Sequence, residues 1–375
     1  MGLLGCSFQT QSHRFRPCDR TRLKNPGKGQ TRPLFLVLAK LCGGFREKVA
    51  LDMKRLRVLC LSIGLLLYAV LLWKLDIWHS WVLLCHVKLL LLLAAILVGL
   101  PEIFFKSLRF RLLGKPETQL SISKSFHIYL SGQPMALVTP GKLGDVTRVW
   151  LFKRFSKRPM PECLAVHTAD KIFDFSALAI LAAIGILAWI GNGTNPSSSV
   201  LAAAGGVLVG LALTLALLNP EWFKPPVKFL IRQWVPPEKA DPLKHHGREF
   251  LEKLKRRLSP TTKSFFLAFA LSLLAWEFAI LRAWICSIAL GIPLSFGLYM
   301  LGAPLVVMVE LLPISILGFG TRETALILLF ASASLTPEAL VAFGLLTTLA
   351  GPITTALLGL PASMEILREQ QETKP

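Results

Sequence analysis

Long apolar runs, interrupted by short basic or glycine- and proline-containing breaks, dominate the chain. Leu56–Trp73, Val82–Phe105, Ile172–Ile190, Val200–Leu218, Phe265–Leu290 and Ala339–Leu360 each approach or exceed the roughly 20 apolar residues that a helix needs to cross a bilayer. Three other stretches do not fit a simple crossing. Residues 121–158 are only moderately apolar, Phe296–Leu312 runs into a glycine-rich break, and Thr324–Ala333 is too short. A helix satisfies its own backbone in lipid, so the pattern predicts an all-α, polytopic transmembrane helical bundle. Residues 1–52 hold ten Lys/Arg against three acids and show no helical pattern. They read as a basic disordered tail, or as an upstream start that the mature protein does not need. Met53-Lys54-Arg55-Leu56-Arg57 then opens a transmembrane domain over 53–361, followed by a short cytoplasmic tail over 362–375.

Composition supports this reading. Of 375 residues, 53% are apolar and 17% charged, and the mean hydropathy is +0.56. The formal charge of +20 would suit nucleic acid, but it gathers in the tail and between the apolar runs, as positive-inside asymmetry requires. No nucleic-acid partner is expected. Lys54, Arg55 and Arg57 before the first span, and Lys106, Arg109, Arg111 and Lys115 after the second, place both of these flanks in the cytoplasm. Trp73, Trp78 and Trp81 suit the opposite interface, and the uncharged Gly191–Ser199 suits the outer face. Residues 121–158 have basic flanks at both ends. They are therefore expected as a re-entrant hairpin with its tip near Gln133-Pro134 or Pro140-Gly141, the alternative being an interfacial amphipathic helix. A second re-entrant unit over 296–335, entering from the outer side, competes with full crossings. Either arrangement leaves the C-terminus, like the N-terminus, in the cytoplasm. The loop 221–263 carries eleven Lys/Arg and five acids, with an amphipathic helix around Gly247–Leu258. It is too short to be a catalytic domain. The seven cysteines are scattered without a CxxC pair, so neither disulfides nor a zinc site are expected.

Two breaks resemble each other. Thr139-Pro140-Gly141-Lys142-Leu143-Gly144-Asp145-Val146-Thr147-Arg148 lies in the first half. Leu312-Pro313-Ile314-Ser315-Ile316-Leu317-Gly318-Phe319-Gly320-Thr321-Arg322-Glu323 lies in the second. Each joins a proline, glycines and an arginine beside a carboxylate. Paired interruptions in two halves of a membrane protein point to a transport site at their junction, an arrangement compatible with an inverted repeat. Charge at membrane depth is costly, so Asp145, Arg148, Asp170, Asp174, Glu277, Arg282, Glu310, Arg322 and Glu323 are the candidate polar residues. Asp145 and Arg148 share a helix face. Asp170 and Asp174 need a cation between them, with Arg148 or Lys171 as candidates. Glu277 and Arg282 point apart and seek partners on other helices. Guanidinium groups suit phosphate, which makes Arg148 and Arg322 the candidate headgroup ligands. Pairing that simply locks the bundle is the competing reading. His127 and His167 are expected to be structural, and Phe104, Phe105, Phe126 and Trp150 to pack or anchor.

The first stretch resembles the P-G-x-x-G-(D/E)-x-x-R signature, and the second the G-x-G-x-R-E signature, of the lysylphosphatidylglycerol synthase transmembrane region. This family is also called flippase-like, or uncharacterised membrane family 0104. The resemblance covers roughly residues 55–360. It implies an inner-membrane, multi-pass domain that moves a lipid between leaflets. Well-known members carry a soluble aminoacyl-transferase after this domain. Here the chain reaches Pro375 about 15 residues past the last span, so aminoacyl transfer is not expected. The leading expectation is a non-enzymatic translocator of a phospholipid or a polyprenyl-phosphate-linked glycolipid. Arg148 and Arg322 would bind phosphate, Asp145 and Glu323 would orient them, and Gly144, Gly320, Pro140 and Pro313 would shape the site. Asp170, Asp174, Glu277, Arg282 and Glu310 would form a charge relay. The alternatives are a non-catalytic membrane partner of a separate synthase or glycosyltransferase, and a membrane-embedded lipid-modifying enzyme. The sequence contains no GxxxxGK[ST], HExxH or GxSxG motif. No cofactor is therefore expected, and directed flux would draw on an ion gradient, the membrane potential or substrate removal.

Overall fold

The computed structural model describes residues 77–115, 120–191, 237–259, 263–311, 315, 318–331 and 335–372, together with 62, 66, 69 and 73. The tail 1–52 and the expected span Val200–Leu218 lie outside the described residues, as does nearly all of Leu56–Trp73. Every regular element among the described residues is helical: α1 Ile77–Cys85, α2 Leu89–Gly114, α3 Ile122–Ser131, α4 Gln133–Leu137, a 3₁₀ turn Pro140–Thr147, α5 Arg148–Ser156, α6 Met160–Gly191, α7 Pro237–Arg257, α8 Lys263–Ala289, α9 Phe296–Leu311, α10 Thr321–Phe330, α11 Pro337–Thr348, a π turn Leu349–Ile353 and α12 Thr354–Glu372.

Four helical stretches are long and apolar enough to cross a membrane: Leu89–Gly114, Met160–Ala188, Lys263–Ala289 and Pro337–Glu365. All four were expected, but two are displaced or extended. The expected span Val82–Phe105 breaks between α1 and α2, and the long helix runs on through Lys106 and Arg109. Lys106 and Arg109 are thus not a free basic flank: both lie inside the protein, where carboxylates meet them. Likewise α6 begins at Met160 rather than Ile172, and it absorbs His167, Asp170, Lys171 and Asp174 into one helix.

The segment 121–158 is a broken helix, not one continuous amphipathic helix. Ser121 caps α3 by accepting from the Lys124 N–H at 3.3 Å. The chain then breaks at Gly132, restarts for one turn at Gln133-Pro134, and tightens into the 3₁₀ turn before α5. Residues 296–335 are interrupted in the same way, with α9 and α10 on either side of Gly318 and Gly320, whose φ angles are +76° and +78°. α9 has 16 residues, about 24 Å of helix, short of the ~30 Å hydrocarbon core.

Two large apolar cores stand out among the described residues, beside two smaller clusters. One joins the far halves of α2, α3, α5, the start of α6 and α7, centred on Phe110, Phe152, Ile128 and Phe173. The other joins the start of α2, the end of α8, α9, α10 and α11, centred on Leu326, Phe343, Leu340 and Tyr299. α2 and α8 run antiparallel through both: Ala95 meets the Ile280 end of α8 in one core, while Phe110 and Ala268 share the other. The expected amphipathic helix near 247–258 is present as the end of α7. Leu254 and Leu258 are buried in the first core, and Lys253 reaches Glu162 at 2.8 Å.

Candidate functional site

Among the described residues, charged side chains gather around one cavity of about 380 Å³. The cavity draws on both halves. From the first come Glu102 and Lys106 of α2, Tyr129 and Gln133 of the broken helix, Lys142 and Asp145 of the 3₁₀ turn, and His167, Lys171 and Asp174 of α6. From the second come Arg282 of α8, Tyr299 and Glu310 of α9, and Gly318 and Arg322 at the second break. Five cations thus face four carboxylates. The helical period explains the alignment: on α6, residues 167, 171 and 174 are spaced four and three apart and share a face.

The two breaks meet here. Lys142 Nζ lies 2.9 Å from Glu310 Oε1. Glu310 also receives the Arg322 fork, with Nη2 at 2.8 Å from Oε1 and Nε at 3.1 Å from Oε2. A single carboxylate on α9 therefore ties the first signature to the second. Lys142 reaches it from a left-handed backbone, φ +58°, unusual for a residue with a side chain. Gly318 is required on the opposite side: a Cβ there would sit 2.6 Å from Glu310 Cγ.

Arg148 occupies a different place from the one expected of it. It is wholly buried, pairs with Asp145 as the spacing predicted, and stacks on the Tyr129 ring at 4.1 Å. It does not line the cavity. What it presents to the cavity is Asp145, whose other oxygen is held by Lys171. Glu323 is also reassigned. The carboxylate that holds Arg322 is Glu310, whereas Glu323 turns back to accept from the Gly320 N–H at 2.7 Å and caps α10. Gly320 allows this with a positive φ. Gly144 lets the 3₁₀ turn press against α4: a Cβ would overlap the Met135 carbonyl, and its N–H donates to Thr139 at 2.7 Å. Pro140 begins the turn; Pro313 lies outside the described residues.

The expected relay is partly rebuilt. Asp170 and Asp174 share the cation Arg109, with Nε 2.7 Å from Asp170 and Nη1 3.0 Å from Asp174; of the two candidates, Arg148 reaches Asp170, with Nη1 at 3.7 Å. Arg109 also donates to Ser272 of α8 at 2.7 Å. Arg282 pairs with Glu102 on α2, which also takes Lys106 at 2.7 Å. Glu277 neither lines the cavity nor makes an ion pair among the described residues. The sequence reading missed Glu102, Lys106, Arg109 and Lys142 as site groups, and had Lys171 only as a candidate partner of Asp170 and Asp174. Their signal was present in the four-residue spacing of Glu102 and Lys106 on an apolar helix, but a basic cluster near a span end resembles an ordinary flank. His127 bonds Glu365 at 2.8 Å, whereas His167 lines the cavity. Among the described residues no group of three or more His, Cys, Asp or Glu side chains converges as a metal site.

A polar cavity gathered from two broken segments inside a bundle of apolar helices defines a multi-pass membrane protein with an internal polar site. The family model for the lysylphosphatidylglycerol synthase TM region matches residues 58–359, and the chain belongs to that family. It is similar to a UPF0104 membrane protein of Methanothermobacter thermautotrophicus, 25% identical over 249 residues that cover 60% of this chain and 69% of the relative. No solved structure gives a significant match.

Proposed function

We propose that the protein moves a phosphate-bearing lipid, either a phospholipid or a polyprenyl-phosphate-linked glycolipid, between the leaflets of the cell membrane without altering it chemically. The observation that carries this reading is the Lys142–Glu310–Arg322 bridge at the cavity, where both signature breaks converge on one carboxylate. A phosphate entering between Lys142 and Arg322 offers two oxygens to the guanidinium fork, the same bidentate acceptance that Glu310 now supplies. Glu310 is thus the resident counter-ion that the headgroup displaces. Acyl chains remain outside while the headgroup crosses a polar, partly dehydrated space. Arg148 acts behind Asp145 and Lys171, as a positioning group rather than a ligand. The two broken segments 121–158 and 296–335 are read as re-entrant units in a bundle with both termini in the cytoplasm, and separate synthases or glycosyltransferases as suppliers of the lipid.

Purified protein in vesicles carrying a fluorescent phospholipid, with the outer leaflet bleached chemically, tests this. The native protein should expose the inner pool. Lys142→Ala and Arg322→Ala should each slow exposure about 10- to 100-fold, the size expected for losing a charged hydrogen bond. The recovered lipid should be unchanged in mass. Exposure no faster than in protein-free vesicles, or chemical conversion of the lipid, would overturn the reading.

A further inference from the structure

The cavity holds hydrogen-bonding capacity that its ion pairs do not use. His167 is 8% exposed, and its buried Nδ1 has no hydrogen-bond partner among the described residues. Tyr129 and Tyr299 are 2% and 6% exposed, and neither hydroxyl is hydrogen-bonded among those residues. Gln133, at the first turn of α4, adds an amide with two donors and an acceptor, also unpaired there. All four line the cavity and come from four elements, α3, α4, α6 and α9. The buried His167 Nδ1 without a partner is costly and calls for one, while the half-buried Gln133 and the two tyrosines line the cavity beside it. Each of these is neutral or a weak donor, so the partner need not be charged.

The carboxylates are in the opposite condition, since every one at the cavity is already engaged by a cation. Glu102 holds Lys106 and Arg282, Asp145 holds Arg148 and Lys171, Asp174 holds Arg109, and Glu310 holds Lys142 and Arg322. An incoming phosphate finds Lys142 and Arg322, and hydroxyl groups beside it find the four neutral side chains.

Resting on the translocation reading above, we propose that Tyr129, Gln133, His167 and Tyr299 form a wall that reads hydroxyl groups. The ligand is then a phosphodiester bearing a polyol or sugar, and headgroups without a hydroxyl forgo these bonds. Gln133 and His167 are the specificity-determining residues, one on each side of the first break.

The test compares three acyl-labelled probes that differ only in headgroup, glycerol, choline or ethanolamine, each at trace level in phosphatidylcholine vesicles containing the native protein. The glycerol probe should cross about tenfold faster than the other two, the value of one or two neutral hydrogen bonds. Gln133→Leu and His167→Leu should each reduce that ratio about 3- to 10-fold, by slowing the glycerol probe more than the choline probe. His167→Gln, which keeps a donor and an acceptor, should retain most of it. Equal crossing of all three probes, or a ratio unmoved by the leucine variants, overturns the proposal while leaving translocation intact. Crossing by none of them overturns translocation. In that event thermal stabilisation of the native protein in detergent decides the headgroup question by itself. Stabilisation by the glycerol lipid above the choline and ethanolamine lipids supports the proposal, and equal stabilisation overturns it. Stabilisation by soluble glycerophosphoglycerol as strong as that by the lipid would overturn the assignment to a membrane ligand.

Discussion

Arg109 is the residue whose role differs most from its appearance in the sequence. With Arg111 and Lys115 close behind, it resembles the basic edge of a membrane span. In the fold it has no access to solvent and is bonded to Asp170, Asp174 and Ser272. Removing one member of such a cluster leaves uncompensated charge in a dry interior, which costs about 3–5 kcal/mol. Arg109→Leu should therefore sharply lower the thermal unfolding temperature in detergent. Combining it with Asp170→Leu should recover part of the loss, since the orphaned charge goes too; no recovery would remove the pairing argument. The four-residue spacing of Asp170 and Asp174 made the need for a cation legible. Its identity was not, because the donor lies 61 residues earlier in the chain, and proximity in sequence drew attention to Arg148 and Lys171. The same limit applies to Glu323. An acid beside an arginine reads as its partner, yet the adjacent helix start has a stronger claim on it.

At the scale of elements, the breaks themselves were legible because glycine and proline leave few other options, and both interrupted segments fall where the pattern located them. The 3₁₀ winding of 140–147 and the path by which Lys142 reaches α9 were not, since these depend on close backbone approach rather than on residue type. Two glycines separate the contributions of backbone angle and space. Gly291 and Gly318 both have positive φ, +71° and +76°, but open space surrounds the first while Glu310 crowds the second. Gly291→Ala should cost only the left-handed backbone term, about 1–2 kcal/mol, and leave lipid exchange unchanged. Gly318→Ala should cost more and also slow exchange, because Glu310 must move away from Arg322. Thermal unfolding and the vesicle assay, applied to both variants, check this; equal behaviour would show that crowding at Gly318 has no functional weight.

For the whole molecule, the all-helical, multi-pass architecture was readable from apolar run length alone. That the two signatures face each other was readable only as a resemblance between distant segments, and the coordinates bring them together through Lys142, Glu310 and Arg322. If translocation requires the halves to part at this seam, a tether across it should stop the protein. Lys142→Cys with Glu310→Cys, on a background with the native cysteines replaced, should allow a reducible bifunctional thiol reagent to arrest the residual exchange of that variant, and reduction should restore the residual rate. Continued exchange in the fully tethered protein would mean that the seam need not open.

The π turn at Leu349–Ile353 has a consequence for everything that follows it. A π turn contains one residue more than an α-helical turn, and Arg282 presses against its glycine, within 2.7 Å of where a Gly351 Cβ would lie. Deleting a single residue from this turn would let the helix wind regularly, and would swing α12 by roughly 100° about its axis. Ser363 would then leave the Ser131 carbonyl, and Glu365 would leave His127 and Arg154. One surplus residue in the last long helix thus sets the direction in which the chain's final stretch grips the first break.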